Sequence, residues 1–327
     1  MAAEPIEDIA VVGAGRMGHG IALSYALAGH AVNLTDADET VLEASSDRIE
    51  SALGTLADAG RVSETGRTAT LARVTPVETF EAAVSDVDFV TEAVSEDLSI
   101  KQSVFGELDR LTRPDTLLAT NTSGLSIDAI GEPVEDQTRV LGTHWFNPPH
   151  LVPLVEIVAG SETDESAIGR TRSLLESAGK TPVVVRKDIP GFIGNRIQAA
   201  MSYEAFSLLE RGVATPQDID RAVKAGFGFR LPIMGIFEKM DQSGLDIHYE
   251  VEKSLMGDLD RGTAPGGVLD ELLASGDLGT ETGKGIYDWE DVDLDETYHA
   301  RDRALLAMLD LYESIDRDSP PANYDRT

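Results

Sequence analysis

Apolar and polar positions repeat with two different periods along this chain, and the change from one to the other divides it. In the first part, short apolar runs bounded by glycine, proline or acidic residues recur. Residues 6–12, 31–36, 73–74, 89–94, 117–123, 140–146, 154–158 and 182–185 read as strands. Between them, apolar positions three and four apart predict helices over 17–28, over 40–71 with a break at Ala59-Gly60-Arg61, and over 167–178. Strands alternating with helices predict an α/β domain around a mainly parallel sheet. After Asp188-Ile189-Pro190-Gly191 no run of comparable strand strength returns. One long helix is expected over 192–211, and another opens at Pro216 with acids in its first turn. Thr282-Gly283-Lys284-Gly285 turns the chain into an aromatic segment, and a last helix is expected over 301–315 before a loose Ser-Pro-Pro end. The expected division is an α/β domain at 1–187, a helical domain at 188–289 and an acidic extension at 290–327. No internal repeat is present.

Candidate chemistry enters at the first strand–helix junction. Gly13-Ala14-Gly15-Arg16-Met17-Gly18 follows a strand and opens a helix, and the next strand closes on Asp36. In that setting G-x-G-x-x-G reads as a dinucleotide-binding turn rather than a glycine turn of another α/β protein. Gly13 makes the tight turn, Gly15 lets the backbone approach a pyrophosphate, and Gly18 lets helix and strand pack closely. The helix N-terminus then faces the phosphates. Asp36 would bond the adenosine ribose diol and repel a 2′-phosphate, which favours NAD over NADP. The fold class is therefore α/β, a Rossmann-like NAD-binding domain followed by an all-helical C-terminal domain.

A second candidate lies at His144 and Glu156, each inside an apolar run, with the turn-forcing Asn147-Pro148-Pro149 between them. Two strands joined there bring the two side chains together. A buried carboxylate needs a partner, and an imidazole oriented by a carboxylate makes a general base. The bland alternative is a His and a Glu satisfied separately in a core. Ser123 ends the strand at 117–123, where ligands of open α/β sheets sit, or else it caps a helix. Glu96 and Lys101, taken alone, read as a solvated helix-start pair. Asn195 sits in the first turns of the long helix, and Arg230 follows a glycine-interrupted loop. A zinc site at His144 and His150 lacks a third ligand at recognisable spacing, so no metal is expected.

Composition narrows the classes. Acidic residues outnumber basic ones 58 to 27, a net charge of −31, which disfavours nucleic-acid binding. A lysine-poor acidic surface is read as adaptation to a salt-rich cytoplasm, where counterions screen self-repulsion, and so as a sign of a halophilic source. There is no cysteine, hence no disulfide or thiolate chemistry. No membrane partner is expected, because no apolar run approaches a membrane span. Nothing at the start reads as an export signal. A cytoplasmic protein is expected.

Taken together, V-V-G-A-G-R-M-G at 11–18, N-T-S at 121–123, H-W-F-N-P at 144–148, V-E-I at 155–157 and P-G-F-I-G-N-R at 190–196 resemble the L-3-hydroxyacyl-CoA dehydrogenase family, 3-hydroxybutyryl-CoA dehydrogenases included. The resemblance covers about residues 6–289. It implies an NAD-dependent oxidoreductase of fatty acid metabolism or β-oxidation, a homodimer formed through the helical domain, and oxidation of a 3-hydroxyacyl-CoA to the 3-ketoacyl-CoA. It makes His144 the base, Glu156 its orienting partner, and Ser123 and Asn195 the holders of the substrate oxygen. By the same resemblance Gly13, Gly15, Arg16, Met17, Gly18, Asp36, Glu96, Lys101, Ser123 and Asn147 are expected to contact the cofactor. Two departures stand out. Glu281 occupies a place where the family often has lysine, and Ala52 and Ala59 stand where relatives place Ser and Lys against CoA. Asn147-Pro148-Pro149 and Gly228-Phe229-Arg230 also resemble dehydrogenases of free hydroxy acids, such as L-gulonate and carnitine dehydrogenases. There Arg230 would clamp a carboxylate. A Ser123–His144–Glu156 hydrolase lacks a nucleophile elbow, and a non-catalytic NAD-binding protein would leave the His144 and Glu156 pair without work.

Overall fold

Eight strands and their connecting helices make the first of two units into which the contacts of this computed structural model divide the chain, Met1–Arg196 and Ile197–Thr327. The structure describes residues 5–260, 262 and 265–315. In chain order the first unit runs β1 (Asp8–Val12), α1 (Gly18–Leu27), β2 (Ala31–Thr35), α2 (Glu39–Asp58), α3 (Glu64–Leu71), β3 (Val74–Pro76), α4 (Phe80–Val84), β4 (Phe89–Glu92), α5 (Leu98–Leu111), β5 (Leu117–Thr120), α6 (Ile127–Gly131), β6 (Val140–Trp145), β7 (Leu154–Ala159), α7 (Glu165–Ser177) and β8 (Thr181–Val185).

The sheet order is β3-β2-β1-β4-β5-β6-β7-β8. Every neighbouring pair is parallel except β6–β7. The order reverses between β1 and β4, and that reversal opens a crevice at the carboxyl ends of the strands. A sheet covered on both faces needs continuous apolar strands, and Ile9 to Val12, Phe89 to Val90 and Leu117 to Ala119 supply them, all buried. Val90, Phe105, Leu108, Leu118, Ile130 and Phe192 share one cluster on one side of the sheet. Aspartates start the helices: Asp38, Asp97 and Asp164 each accept an amide from the first turn they precede.

The strands stop earlier than their apolar runs. The run at 89–94 ends pairing at Glu92, whose carboxylate takes the Val94 amide. The run at 117–123 ends at Thr120, after which Asn121 and Thr122 use their side chains to hold the loop. The helix expected over 192–211 begins at Gly194, because Gly191 and Phe192 both have positive φ, 77° and 49°. That helix, α8 (Gly194–Glu210), starts in the first unit and continues into the second. The contacts thus divide the chain at Arg196, a few residues beyond the composition change at 187, since the 188–194 segment is bonded to the sheet.

The second unit adds α9 (Pro216–Ala225), α10 (Ile236–Ser243), α11 (Leu245–Leu255), α12 (Gly267–Ser275) and α13 (Leu294–Ser314). The last helix begins seven residues before its expected start at 301. Asp293 caps it through the Glu296 amide, and its opening turn is too acidic to show an apolar period. The Ser-Pro-Pro end lies outside the described residues. Among the described residues of this unit only Ser207 and Leu306 are buried. No helix among the described residues is long and apolar enough to cross a membrane.

Candidate active site

The β6–β7 hairpin sets His144 directly opposite Glu156 in its antiparallel register. The imidazole Nδ1 lies 2.7 Å from Glu156 Oε2, with the two residues 4% and 1% exposed. The other carboxylate oxygen, Oε1, accepts the amides of Ile193 and Gly194, both at 2.9 Å. Local backbone explains that double contact. With Gly191 and Phe192 in the left-handed region, the chain folds so that successive N–H groups converge on one anion, a nest. Holding phenylalanine at positive φ costs on the order of 1 kcal/mol or more, offset here by burying its ring against His144, 5.6 Å between centroids. Phe146 flanks the same imidazole at 4.6 Å. A Cβ on Gly194 would stand 2.5 Å from Phe146 Cζ, so only glycine lets the nest and that ring coexist.

Burial pushes the Glu156 carboxyl up, but the His144 ring and the Gly194 and Ile193 amides outweigh it, leaving the net shift downward. An ionised Glu156 can only accept hydrogen bonds. The His144 Nδ1 therefore carries the proton it shares with Glu156, so that in the neutral ring Nε2 is the nitrogen with a lone pair, the arrangement a general base needs.

At the crevice between β1 and β4 the glycine turn is built as a cradle. Gly13 has φ 99°, and a Cβ on Gly18 would fall 1.6 Å from the Gly13 carbonyl oxygen. Gly15 faces open space, with nothing within 4 Å of where its Cβ would be. Asp36 accepts the Ala14 amide at 2.7 Å and the Asp38 amide at 2.9 Å, which fixes its carboxylate at the end of β2. Arg16 is exposed, and Met17 immediately precedes α1. An open glycine face at a helix N-terminus beside an anchored acid fits a dinucleotide pyrophosphate and ribose. Two neighbours had escaped the sequence. His19 Nδ1 contacts the Gly15 carbonyl at 2.7 Å, and Arg48 Nη1 reaches the Ala14 carbonyl at 3.5 Å. Burial lowers the His19 pKa, against that carbonyl bond, and Arg48 lowers it further. Neither shows a motif, since His19 lies within the first turn of a helix and Arg48 reads as an ordinary helix-surface arginine.

The β4–β5 edge supplies the third part. Glu96 Oε1 accepts the Thr122 hydroxyl at 2.6 Å and the Ser123 amide at 2.8 Å. Ser123 is exposed, and Asn195 Nδ2 lies 3.4 Å from its carbonyl oxygen. Asn121 Oδ1 accepts the Trp145 amide and so ties this edge to the strand that carries His144. Lys101 is enclosed, its ammonium 2.7 Å from Glu92 and 3.4 Å from Glu96. Asn147 is exposed just beyond β6, and the peptide bond after it is cis. The first unit thus brings Ser123, Glu96 and Asn195 together, whereas Arg230 belongs to the second unit, where it is exposed. Among the described residues no three His, Cys, Asp or Glu side chains gather as a metal site would require.

Two family models match the chain. The 3-hydroxyacyl-CoA dehydrogenase NAD binding domain covers residues 8–189, and the C-terminal domain of the same family covers 191–289. The chain is 33% identical to 5-formyl-3-hydroxy-2-methylpyridine 4-carboxylate 5-dehydrogenase of Mesorhizobium japonicum, over 94% of this chain and 99% of that protein. A crystal structure of a 5-formyl-3-hydroxy-2-methylpyridine 4-carboxylic acid 5-dehydrogenase superposes with a TM-score of 0.88 at 32% identity, covering 95% of this chain and all of that one. A probable 3-hydroxybutyryl-CoA dehydrogenase of Bacillus subtilis is 36% identical over 88% of this chain and 98% of that protein.

Proposed function

Since the chain belongs to the 3-hydroxyacyl-CoA dehydrogenase family, and is thus an NAD-dependent oxidoreductase, we propose that it oxidises the secondary alcohol of an L-3-hydroxyacyl-CoA to the 3-ketoacyl-CoA, with His144 as base. The observation that carries this reading is the His144–Glu156 pair, closed at 2.7 Å and backed by two amides. Gly13, Gly15, Gly18 and Asp36 would hold the cofactor, whose nicotinamide, when bound, supplies the hydride acceptor. His144 Nε2 takes the hydroxyl proton as the carbonyl forms, and Glu156 steadies the imidazolium that results. Ser123 and Asn195 hold the reacting oxygen, which gains negative character as its proton moves to His144 ahead of the hydride.

A second reading keeps the chemistry and replaces the thioester with a free carboxylate, clamped by Arg230. It is supported by the match to the Mesorhizobium enzyme, named for a pyridine carboxylate. That match leaves only 6% of the chain uncovered, fewer residues than lie beyond 289, so it reaches into α13. Alanines at 52 and 59 also leave α2 and the loop after it with few basic residues to meet CoA phosphates. The test follows NADH absorbance in high KCl with acetoacetyl-CoA and acetoacetate in parallel. Turnover of the thioester alone supports the first reading. Turnover of the acid alone, with KM raised in Arg230→Ala, supports the second. Silence toward both while NADH binds would sink each of them.

A further inference from the structure

Two side chains that the proton transfer does not use hold the glycine turn from behind. His19, in the first turn of α1, places Nδ1 2.7 Å from the Gly15 carbonyl oxygen. Its own backbone amide reaches the same oxygen only at 3.5 Å, so the side chain is the closer donor. A carbonyl can only accept, and Nδ1 therefore carries the hydrogen. From α2, Arg48 Nη1 lies 3.5 Å from the Ala14 carbonyl oxygen, and the Ala14 amide is taken by Asp36. A peptide unit is planar and trans, so its C=O and N–H point in opposite directions. The Ala14 carbonyl shares a peptide with the Gly15 amide, and the Gly15 carbonyl shares one with the Arg16 amide. Drawing the two oxygens toward Arg48 and His19 therefore aims the two N–H groups away from them. Those amides meet no acceptor among the described residues, as is usual where a helix starts, and Gly15 leaves its face open. Successive N–H groups aimed outward at a helix N-terminus bind phosphate.

We propose that His19 and Arg48 are positioning residues of the cofactor site, which act through the Gly15 and Ala14 carbonyls to aim the Arg16 and Gly15 amides at the pyrophosphate. The inference rests on the glycine turn as the pyrophosphate site and is independent of which alcohol is oxidised. Burial holds the His19 pKa below its ordinary value, against the Gly15 bond and with Arg48 acting in the same direction as burial. Near neutral pH the ring thus serves as a hydrogen-bond donor and not as a charge. Asparagine carries its NH2 on Cγ, the atom that carries Nδ1 in histidine, so it replaces the donor. Leucine fills similar space and has none.

The experiment measures binding of NADH by fluorescence, and of ADP-ribose and adenosine by competition with it, in high KCl. Full-length wild type is compared with His19→Leu, His19→Asn, Arg48→Met and Gly15→Val, and thermal midpoints show that each folds. His19→Leu is expected to weaken NADH and ADP-ribose by about tenfold, the scale of one hydrogen bond, with adenosine unchanged because it carries no phosphate. His19→Asn should bind all three nearly as wild type does. Arg48→Met should show the same pattern to a smaller extent, since its contact is longer. Equal losses for adenosine and NADH would overturn the proposal, because the two side chains would then shape the pocket as a whole. Failure of asparagine to restore what leucine loses would overturn it too, because the imidazole itself would then meet the cofactor. Unchanged NADH affinity in both His19→Leu and Arg48→Met is the third refutation. If His19→Leu does not fold, Arg48→Met, altered at an exposed side chain, must still weaken NADH and spare adenosine. Gly15→Val tests the premise separately, because its side chain meets no protein atom at Cβ and stands on the open face. It must weaken NADH strongly. Wild-type affinity there would remove the turn as the pyrophosphate site, and the proposal with it, whereas a strong loss there beside an unaltered His19→Leu overturns the positioning role alone.

Discussion

A carboxylate nearly out of reach of water is either a neutral donor or a charged acceptor, and at Glu156 that choice decides what His144 can do. Three donors converge on it, the His144 ring and the Ile193 and Gly194 amides, and they keep it ionised despite burial. Glu156→Gln retains shape and removes that choice, because an amide can turn its NH2 toward Nδ1 and fix the wrong tautomer. The expected loss is about 100-fold or more in kcat, with NADH affinity unchanged. A kcat within a few-fold of wild type across the pH profile would show that the pair is not the base. Glu156 was legible in the sequence because one acid among Leu154, Val155, Ile157 and Val158 needs a reason to be there. Phe192 was not. Its importance lies in a left-handed φ that its identity does not announce, and only Gly191 beside it hints at the turn. Lys101 likewise read as a surface charge, because its position at a helix start says nothing about the pocket that Glu92 makes beneath it.

At the scale of elements, the hairpin that carries the base is pinned from behind by a buried lysine. Lys180, just before β8, donates to the carbonyls of Pro149 and Val152 in the turn after β6, and its ammonium lies 5.3 Å from the centre of the Trp145 ring. Pro149 also accepts the Ser24 hydroxyl from α1. One cation thus joins β8, the β6–β7 turn and the helix behind the cofactor cradle. Burial pulls the Lys180 pKa down to about 8 from an ordinary 10.5. Between those values the unfolded chain binds the proton and the folded chain does not, so stability rises with pH across that window. Below pH 8 both forms are charged and the full penalty of burial stands. Wild type should therefore gain stability relative to Lys180→Met between about pH 8 and 10.5, by up to the order of 3 kcal/mol. Denaturant midpoints of the two proteins at a series of pH values check this, and a constant difference would refute it. The elements themselves were mostly legible, because the sheet needs long apolar runs and its helices show their period. What the sequence hid were α4 and α6, a turn or so each and too short for any period, the helices α10, α11 and α12, for which no range was expected, and the opening of α13, whose first residues are acids. The β6–β7 hairpin followed from the turn-forcing Asn147-Pro148-Pro149 between its strands. The exact pairing of His144 with Glu156 came only with the register.

For the whole molecule, two opposed surface properties have to be reconciled. The chain carries a net charge of −31, and copies of it repel at low ionic strength. Its helical unit meanwhile exposes large apolar side chains, among them Phe229 at 72%, Phe237 at 82%, Leu245, Ile247 and Tyr249. Exposed apolar area on that scale marks a surface that another chain covers, and we propose a second copy as the cover, in a homodimer. Salt acts on both terms in the same direction. At about 1 M the screening length falls to about 3 Å, which removes most of the repulsion between exposed carboxylates, while excluded salts strengthen apolar burial. Dilution reverses both at once, and a helical unit with so little buried of its own has no reserve once its cover leaves. Light scattering and activity measured in parallel from multimolar KCl downward should therefore show dimer and turnover lost together, with the helical unit's amides exchanging before those of the sheet. Retention of both in dilute buffer would remove the salt-adaptation reading of the acidic surface. Loss of turnover from a dimer that persists would instead place the salt requirement in the first unit, at the NAD cradle or the His144–Glu156 pair.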